Sequence, residues 1–156
     1  MTRPASSLTT LQDWEDLRAR ISVPEAMWVD GSWDQAGGRT LPVVSPRDGS
    51  VVANVTSAGP DDVDRAVRGA RQAFERGSWS RLEPRERGQV LIRWADLLEQ
   101  HRDELALLLA LEMGKPVTVA RNVELRTAIN TVRWYGELAD KLMDESPVAA
   151  PVPWRW

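Results

Sequence analysis

Apolar residues spaced three and four apart recur along most of the chain, and each such run predicts one face of a helix. Leu11, Trp14, Leu17 and Ile21 keep this spacing over 10–22, with Thr10 placed to cap the start and Ser22-Val23-Pro24 to end it. Val63, Val67, Ala70 and Phe74 keep it over 60–76, where they are expected to form a buried stripe. There Pro60 suits the first helical turn, Asp61, Asp62 and Asp64 complement the helix dipole, and Gly77 closes the element. Leu91, Trp94, Ala95, Leu98, Leu105, Leu108 and Leu109 carry the pattern over 84–113, with His101-Arg102-Asp103 as a local break or wet turn. From Leu105 to Leu111 the run is apolar on all sides, which predicts burial on more than one face. Gly114 and Pro116 then stop the helix, and Leu125, Ala128, Val132, Tyr135, Ala139 and Leu142 share one face of a last helix over 117–143.

Between the first two helices the punctuation changes. Met27-Trp28-Val29 and Ser32-Trp33 flank Asp30-Gly31, a pair suited to a tight hairpin turn. Leu41–Val44 and 51–55 are joined by Ser45-Pro46-Arg47-Asp48-Gly49, where proline fixes φ and glycine supplies a positive one. Short strands are therefore expected over 27–55, and none of their turns carries a phosphate-cradling glycine pattern. Residues 1–8 are expected to be disordered. The stretch 146–156, with Pro147, Pro151, Pro153 and a Trp-Arg-Trp end, is expected to be irregular.

Composition narrows the chemistry. The 156 residues suffice for one ordinary domain, and a net charge of −3 with interspersed signs gives no basis for a nucleic-acid patch or a membrane anchor. Lysine occurs only at 115 and 141, and the arginines are scattered rather than clustered. The first residues lack the apolar segment of a signal peptide and the longest apolar run is too short to cross a bilayer, so a cytoplasmic location is expected. With no cysteine, disulfides, thiolate metal sites and thiol catalysis are excluded within this stretch. His101 is the one histidine, and in a charged run it reads as a surface residue.

Glu112-Met113-Gly114-Lys115-Pro116, followed by Arg133-Trp134-Tyr135 and Ala139-Asp140-Lys141, resembles a region of the NAD(P)-dependent aldehyde dehydrogenases. Val29-Asp30-Gly31-Ser32-Trp33, Ser45-Pro46-Arg47-Asp48-Gly49 and the 62–74 helix resemble earlier parts of the same family. The resemblance runs over roughly residues 10–145 and reaches only the N-terminal portion of such an enzyme. It implies an α+β architecture, mainly α with a small N-terminal β-hairpin region, lacking the Rossmann sheet and the catalytic domain. Aldehyde oxidation in the family uses a cysteine nucleophile, an oxyanion-holding asparagine, a water-activating glutamate and a sheet that positions NAD or NADP. None is expected here; Pro153-Trp154 is followed by Arg155 where that asparagine would stand.

The resemblance also implies weaker sites. Val123 and Thr127 fall where the family's helix faces the substrate entrance. Glu112 and the backbone of Val43 fall where many members hold a monovalent cation, although one carboxylate and one carbonyl make an incomplete shell and the preferred reading is an ordinary helix-end acid and an ordinary strand residue. Arg133 is expected in a structural ion pair, and Lys115 in solvent. Two functions are expected on this basis: part of an aldehyde dehydrogenase, inactive alone and binding no cofactor, or a helical module docking on full-length dehydrogenase subunits or another partner.

Overall fold

The computed structural model describes residues 8–34 and 38–142; the expected irregular stretch 146–156 and residues 1–7 of the expected disordered start lie outside them. Helix α1 (Leu11–Arg20) begins with a reciprocal cap. The Asp13 amide donates to Thr10 Oγ1 at 3.2 Å, while Asp13 Oδ2 accepts from the Thr9 and Thr10 amides at 2.9 and 2.8 Å and from the Thr10 hydroxyl at 2.7 Å. One face of α1 then buries Trp14 and Leu17 against Leu107, with Leu8, Ile21, Leu111 and Val117 around them.

That cap has a pH signature. Hydrogen bonds from the Thr10 amide and hydroxyl, then from the Thr9 amide, hold the Asp13 carboxyl below its ordinary value of 3.8. A carboxyl depressed in the fold contributes stability that is complete above its unfolded value and lost as pH falls through its folded one. Amide exchange along α1 is therefore expected to accelerate as pH drops below 3.8, beyond the intrinsic pH dependence of exchange. In Asp13→Asn that additional acid-dependent step should disappear.

Strands β1 (Met27–Val29) and β2 (Ser32–Asp34) pair antiparallel in register Val29↔Ser32. Asp30 and Gly31 at their turn both take positive φ, 47° and 82°, which matches the right-handed twist of a two-residue hairpin. Trp28 and Trp33 face each other edge-on at 5.1 Å. Strands β3 (Thr40–Val44) and β4 (Val51–Thr56) form the second antiparallel pair, with an irregularity at Val43/Val44. Their connector closes through Ser45 N to Ser50 O at 2.8 Å and Gly49 N to Ser45 O at 2.9 Å. The Thr56 amide and hydroxyl donate to Glu25 O at 3.0 and 2.9 Å, tying the second hairpin to the lead-in of the first.

Helix α2 (Pro60–Arg76) starts where Asp62 accepts from the Gly59 amide at 2.8 Å and ends at Gly77 in the left-handed region. It meets the first hairpin through the face that carries Asp62, Arg65 and Gly69: Arg65 bridges Asp62 and Asp34 at 2.7 and 2.8 Å, and a Cβ on Gly69 would lie 3.3 Å from that of Asp30. The expected buried stripe is thereby corrected. Val63, Val67 and Phe74 are 52–64% exposed, because the hairpin docks on the opposite, small-residue side.

The continuous pattern over 84–113 resolves into α3 (Pro84–Gln100) and α4 (Arg102–Met113). The break falls at His101, with φ −101° and ψ 15°, where the run from Glu99 to Glu104 offers no apolar residue to pack across the joint. Asp103 and Glu104 then restart a helix in its first turn. The 117–143 helix is likewise corrected. It comprises a short α5 (Val117–Val119), a π turn (Ala120–Leu125) and α6 (Arg126–Leu138).

The largest helix–helix contact joins α3 to α6. Gly88 and Gly136 face each other so closely that a Cβ on Gly88 would stand 2.5 Å from the Gly136 carbonyl oxygen. The packed faces are thus Gly88 and Ala95 against Ile129 and Gly136. Trp94 and Tyr135, which the spacing counted among the apolar positions of their helices, are 51% and 53% exposed, since contact at backbone distance is possible only where side chains are absent.

Candidate functional site

The π turn and α6 are fixed from three sides. Arg121 Nε donates to Asp103 Oδ1 at 2.6 Å, joining the π turn to α4. Lys115 Nζ reaches Glu124 Oε1 at 2.6 Å, so Lys115 is a half-buried ion-pair partner and not the solvent-facing residue expected: the chain reverses after Gly114 and brings it over the π turn. Arg133 pairs with Asp96 of α3 at 2.7 Å, as expected of a structural ion pair. Ala120 and Ile129 are buried beneath.

With these contacts made, the outward face of α6 is left to form an open trough of ≈ 610 Å³ lined by Arg126, Thr127, Asn130, Thr131, Trp134 and Tyr135. Trp134 and Tyr135 meet edge-to-face at 4.9 Å. Thr127, one of the two residues assigned to a substrate entrance, lies in this lining, and Val123, 50% exposed, stands one turn upstream. Asn130, Thr131 and Trp134 were missed from sequence, although they follow Thr127 at three, four and seven residues and share its face. The trough offers hydroxyls, an amide, a guanidinium and two aromatic rings. No carboxylate or imidazole lines it to take a proton from those hydroxyls.

The other pair of residues lies near the end of α4. Gly114 closes that helix at φ 69°, and a Cβ there would stand 2.9 Å from Pro46 Cγ, so the β3–β4 turn rests on the helix end. Val43 and Glu112 are each a few residues back from this contact, Val43 half-buried in β3 and Glu112 exposed. A hard cation takes six or more oxygens. One carbonyl and one exposed carboxylate fall short, and no group of three or more His, Asp or Glu that could hold a metal occurs among the described residues. The donor set does not fit a cation by itself. Gly114→Ala should cost about 1–2 kcal/mol of local opening free energy, read by amide exchange at the end of α4, since it places a Cβ both at positive φ and against Pro46.

Residues 33–153 match the family model for the aldehyde dehydrogenase family. The chain belongs to the aldehyde dehydrogenase family. It is 38% identical over 148 residues to an aminoacetaldehyde dehydrogenase of Pseudomonas aeruginosa, covering 94% of this chain and 29% of that protein. Among solved structures it superposes on a gamma-glutamyl-gamma-aminobutyraldehyde dehydrogenase from Burkholderia cenocepacia with a TM-score of 0.82 and 43% identity, over 86% of this chain and 27% of that one. An indole-3-acetaldehyde dehydrogenase of P. syringae, solved with NAD+ and IAA, gives a TM-score of 0.81 at 40% identity, over 88% of this chain and 28% of that one. The chain thus spans under a third of the length of these aldehyde dehydrogenases, and its mostly helical α+β architecture is that of the matching part of their fold.

Proposed function

We propose that this chain is the N-terminal helical part of an NAD(P)-dependent aldehyde dehydrogenase, a family that oxidises aldehydes to carboxylic acids, and that alone it turns over no aldehyde. The observation that carries this reading is the absence of any cysteine from the 156 residues, since the family's reaction begins with a thiolate on the carbonyl. A second observation supports it. The strands among the described residues form two antiparallel pairs, and neither provides the parallel crossover and helix N-terminus on which a dinucleotide pyrophosphate rests. The residues described do not fit NAD or NADP. Within a larger assembly, Val123 of the π turn and Thr127 on the trough face of α6 would border the route by which an aldehyde enters. The working compartment would be the cytoplasm; no helix among the described residues is long and apolar enough to cross a membrane.

The test is direct. Purified chain, cleared of host dehydrogenases, is incubated with NAD+ or NADP+ and a series of aliphatic and aromatic aldehydes. The expected result is no reduced cofactor above background, because loss of a nucleophile removes several orders of magnitude in rate. Aldehyde-saturable, cofactor-dependent NAD(P)H production would overturn the reading.

The exposed apolar faces favour a second one, a module that docks on full-length dehydrogenase subunits. Val63, Val67 and Phe74 on α2, and Trp134 and Tyr135 on α6, would be its contact surface. Stoichiometric co-purification with a full-length subunit, lost on replacing Trp134 by Ala, supports this reading; no association at all removes it.

A further inference from the structure

We propose that Asp30 is a modification site, where the chain converts its own aspartate to isoaspartate by reaction with the Gly31 backbone nitrogen. The tripeptide Asp-Gly-Ser occurs twice, at 30–32 and at 48–50, each time in the turn between two paired strands. The two copies carry the same reacting groups, and the fold treats them differently. At the second copy, Asp48 Oδ1 accepts from the Ser50 amide at 3.0 Å and from the Ser50 hydroxyl at 2.7 Å, while the Gly49 amide donates to Ser45 O at 2.9 Å. Carboxyl and nitrogen are both engaged there. At the first copy, the Ser32 hydroxyl donates instead to Val29 O at 3.3 Å. The Asp30 carboxyl and the Gly31 amide make no hydrogen bond or ion pair among the described residues. The space around them is open as well. A Cβ on Gly31 would meet nothing within 4 Å, and Gly69 of α2 faces Asp30 with no side chain, where even a Cβ would stand 3.5 Å from Asp30 Cγ.

The reaction needs nothing but the chain and water. The Gly31 nitrogen attacks Asp30 Cγ in its protonated carboxyl form. A C–N bond forms, the C–OH bond breaks, and the hydroxyl leaves as water with the amide proton, closing a five-membered succinimide. Water then adds to one of the two ring carbonyls and breaks its C–N bond. Opening at Cγ restores aspartate; opening at the backbone carbonyl routes the main chain through Cγ and frees an α-carboxylate. The turn thereby gains one backbone methylene, and a two-residue loop of left-handed twist can no longer join Val29 to Ser32 in register. The Arg65–Asp34 bridge, which ties that hairpin to α2, should loosen with it. At Asp48 the same Ser50 contacts also oppose the first step: its hydroxyl, then its amide, then the Ser45 hydroxyl hold the carboxyl below 3.8 and so out of the protonated form. The inference goes beyond the proposed function and stands whether or not the chain is active.

The test ages the purified 156-residue chain, held dilute at neutral pH, digests it, and measures isoaspartate in the peptides spanning 30–32 and 48–50 by electron-transfer fragmentation. Isoaspartate is expected to accumulate at Asp30 about tenfold faster than at Asp48, the factor that one hydrogen bond to a charged group imposes when it must open first. Amide protection of Met27–Asp34 should fall in step with it. Because the two tripeptides are identical, the rates should converge in concentrated urea, which separates the effect of the fold from that of sequence. A Ser50→Ala chain should raise the rate at Asp48 severalfold and leave Asp30 unchanged. Equal rates in the folded chain, faster conversion at Asp48, a difference that persists in urea, or a Ser50→Ala chain with no change at Asp48 would each overturn the proposal.

Discussion

Gly88→Ala is expected to lower the stability of the chain by about 2 kcal/mol, even though alanine is the better helix former. Two effects of opposite sign compete. Within a helix the change from glycine to alanine is worth up to about 1 kcal/mol in favour of folding. Against it, the new Cβ would stand 2.5 Å from the Gly136 carbonyl oxygen, a backbone atom that cannot swing away, and 3.3 Å from the Ala139 Cβ. Forcing extra volume into such a contact costs about 1–3 kcal/mol or more, and separating α3 from α6 also strips cover from Ile129 and Ala95. The clash should win. Gly136→Ala meets Ile92 Cγ1 at 2.9 Å and Gly88 O at 3.0 Å and should behave alike, whereas Gly69→Ala, 3.3 Å from the Asp30 Cβ, should cost less because that contact needs a shift of only a few tenths of an ångström. Amide exchange along α3 and α6 of the three variants checks the order, and a Gly88→Ala chain better protected there than the parent would refute the close contact.

The second large effect concerns the whole chain. Heated as a purified monomer, it should lose structure over a broad interval and aggregate, with no sharp two-state transition. The buried apolar residues described are Trp14, Leu17, Ala95, Ala106, Leu107, Ala120 and Ile129, so three of them are alanines, and no large side chain among the described residues is fully buried. Meanwhile Val63, Val67, Phe74, Trp94, Leu97, Trp134 and Tyr135 stand more than half exposed on three helices. At about 25 cal/mol per Å², uncovered faces of this kind forgo stabilisation on the scale of an ordinary domain's whole margin, about 5–15 kcal/mol. Calorimetry with a dye for exposed apolar surface measures this directly. A single cooperative transition from a monomer, with calorimetric and van't Hoff enthalpies equal, would contradict it.

Local chemistry was readable from the sequence, and partnership was not. The Thr10 cap, the Asp30-Gly31 turn and the ends at Gly77 and Gly114 all depend on residues close in sequence or on strong conformational preferences, and the structure has each, whereas the partner of Arg133, Asp96, stands 37 residues away and was not legible. Periodicity correctly marked α2 as amphipathic, but it cannot say what a stripe meets. The hairpin took the small-residue side of α2, and the valines were left outside. The same limit applied to α6, whose packed face is set by the absence of a side chain at Gly136, a signal no count of apolar residues contains. Of the trough lining, Thr127 was reached through family resemblance alone, which also named Val123, one turn upstream and outside that lining. Asn130, Thr131 and Trp134 became visible once the ion pairs at Lys115, Arg121 and Arg133 showed which side of the helix was already taken.

The π turn between Val119 and Arg126 bears on which changes of length the chain tolerates. A π turn holds one more residue than the α turn it replaces, and takes up that surplus without rotating the helix downstream of it. Removing one residue between Ala120 and Leu125 would let the segment close as ordinary α-helix while Ile129 and Gly136 still met α3 in phase. Removing one from the middle of α6 would instead turn every later side chain by about 100° and carry Gly136 off its seat against Gly88. The turn therefore acts as slack in the chain, placed just ahead of the helix whose rotation matters most.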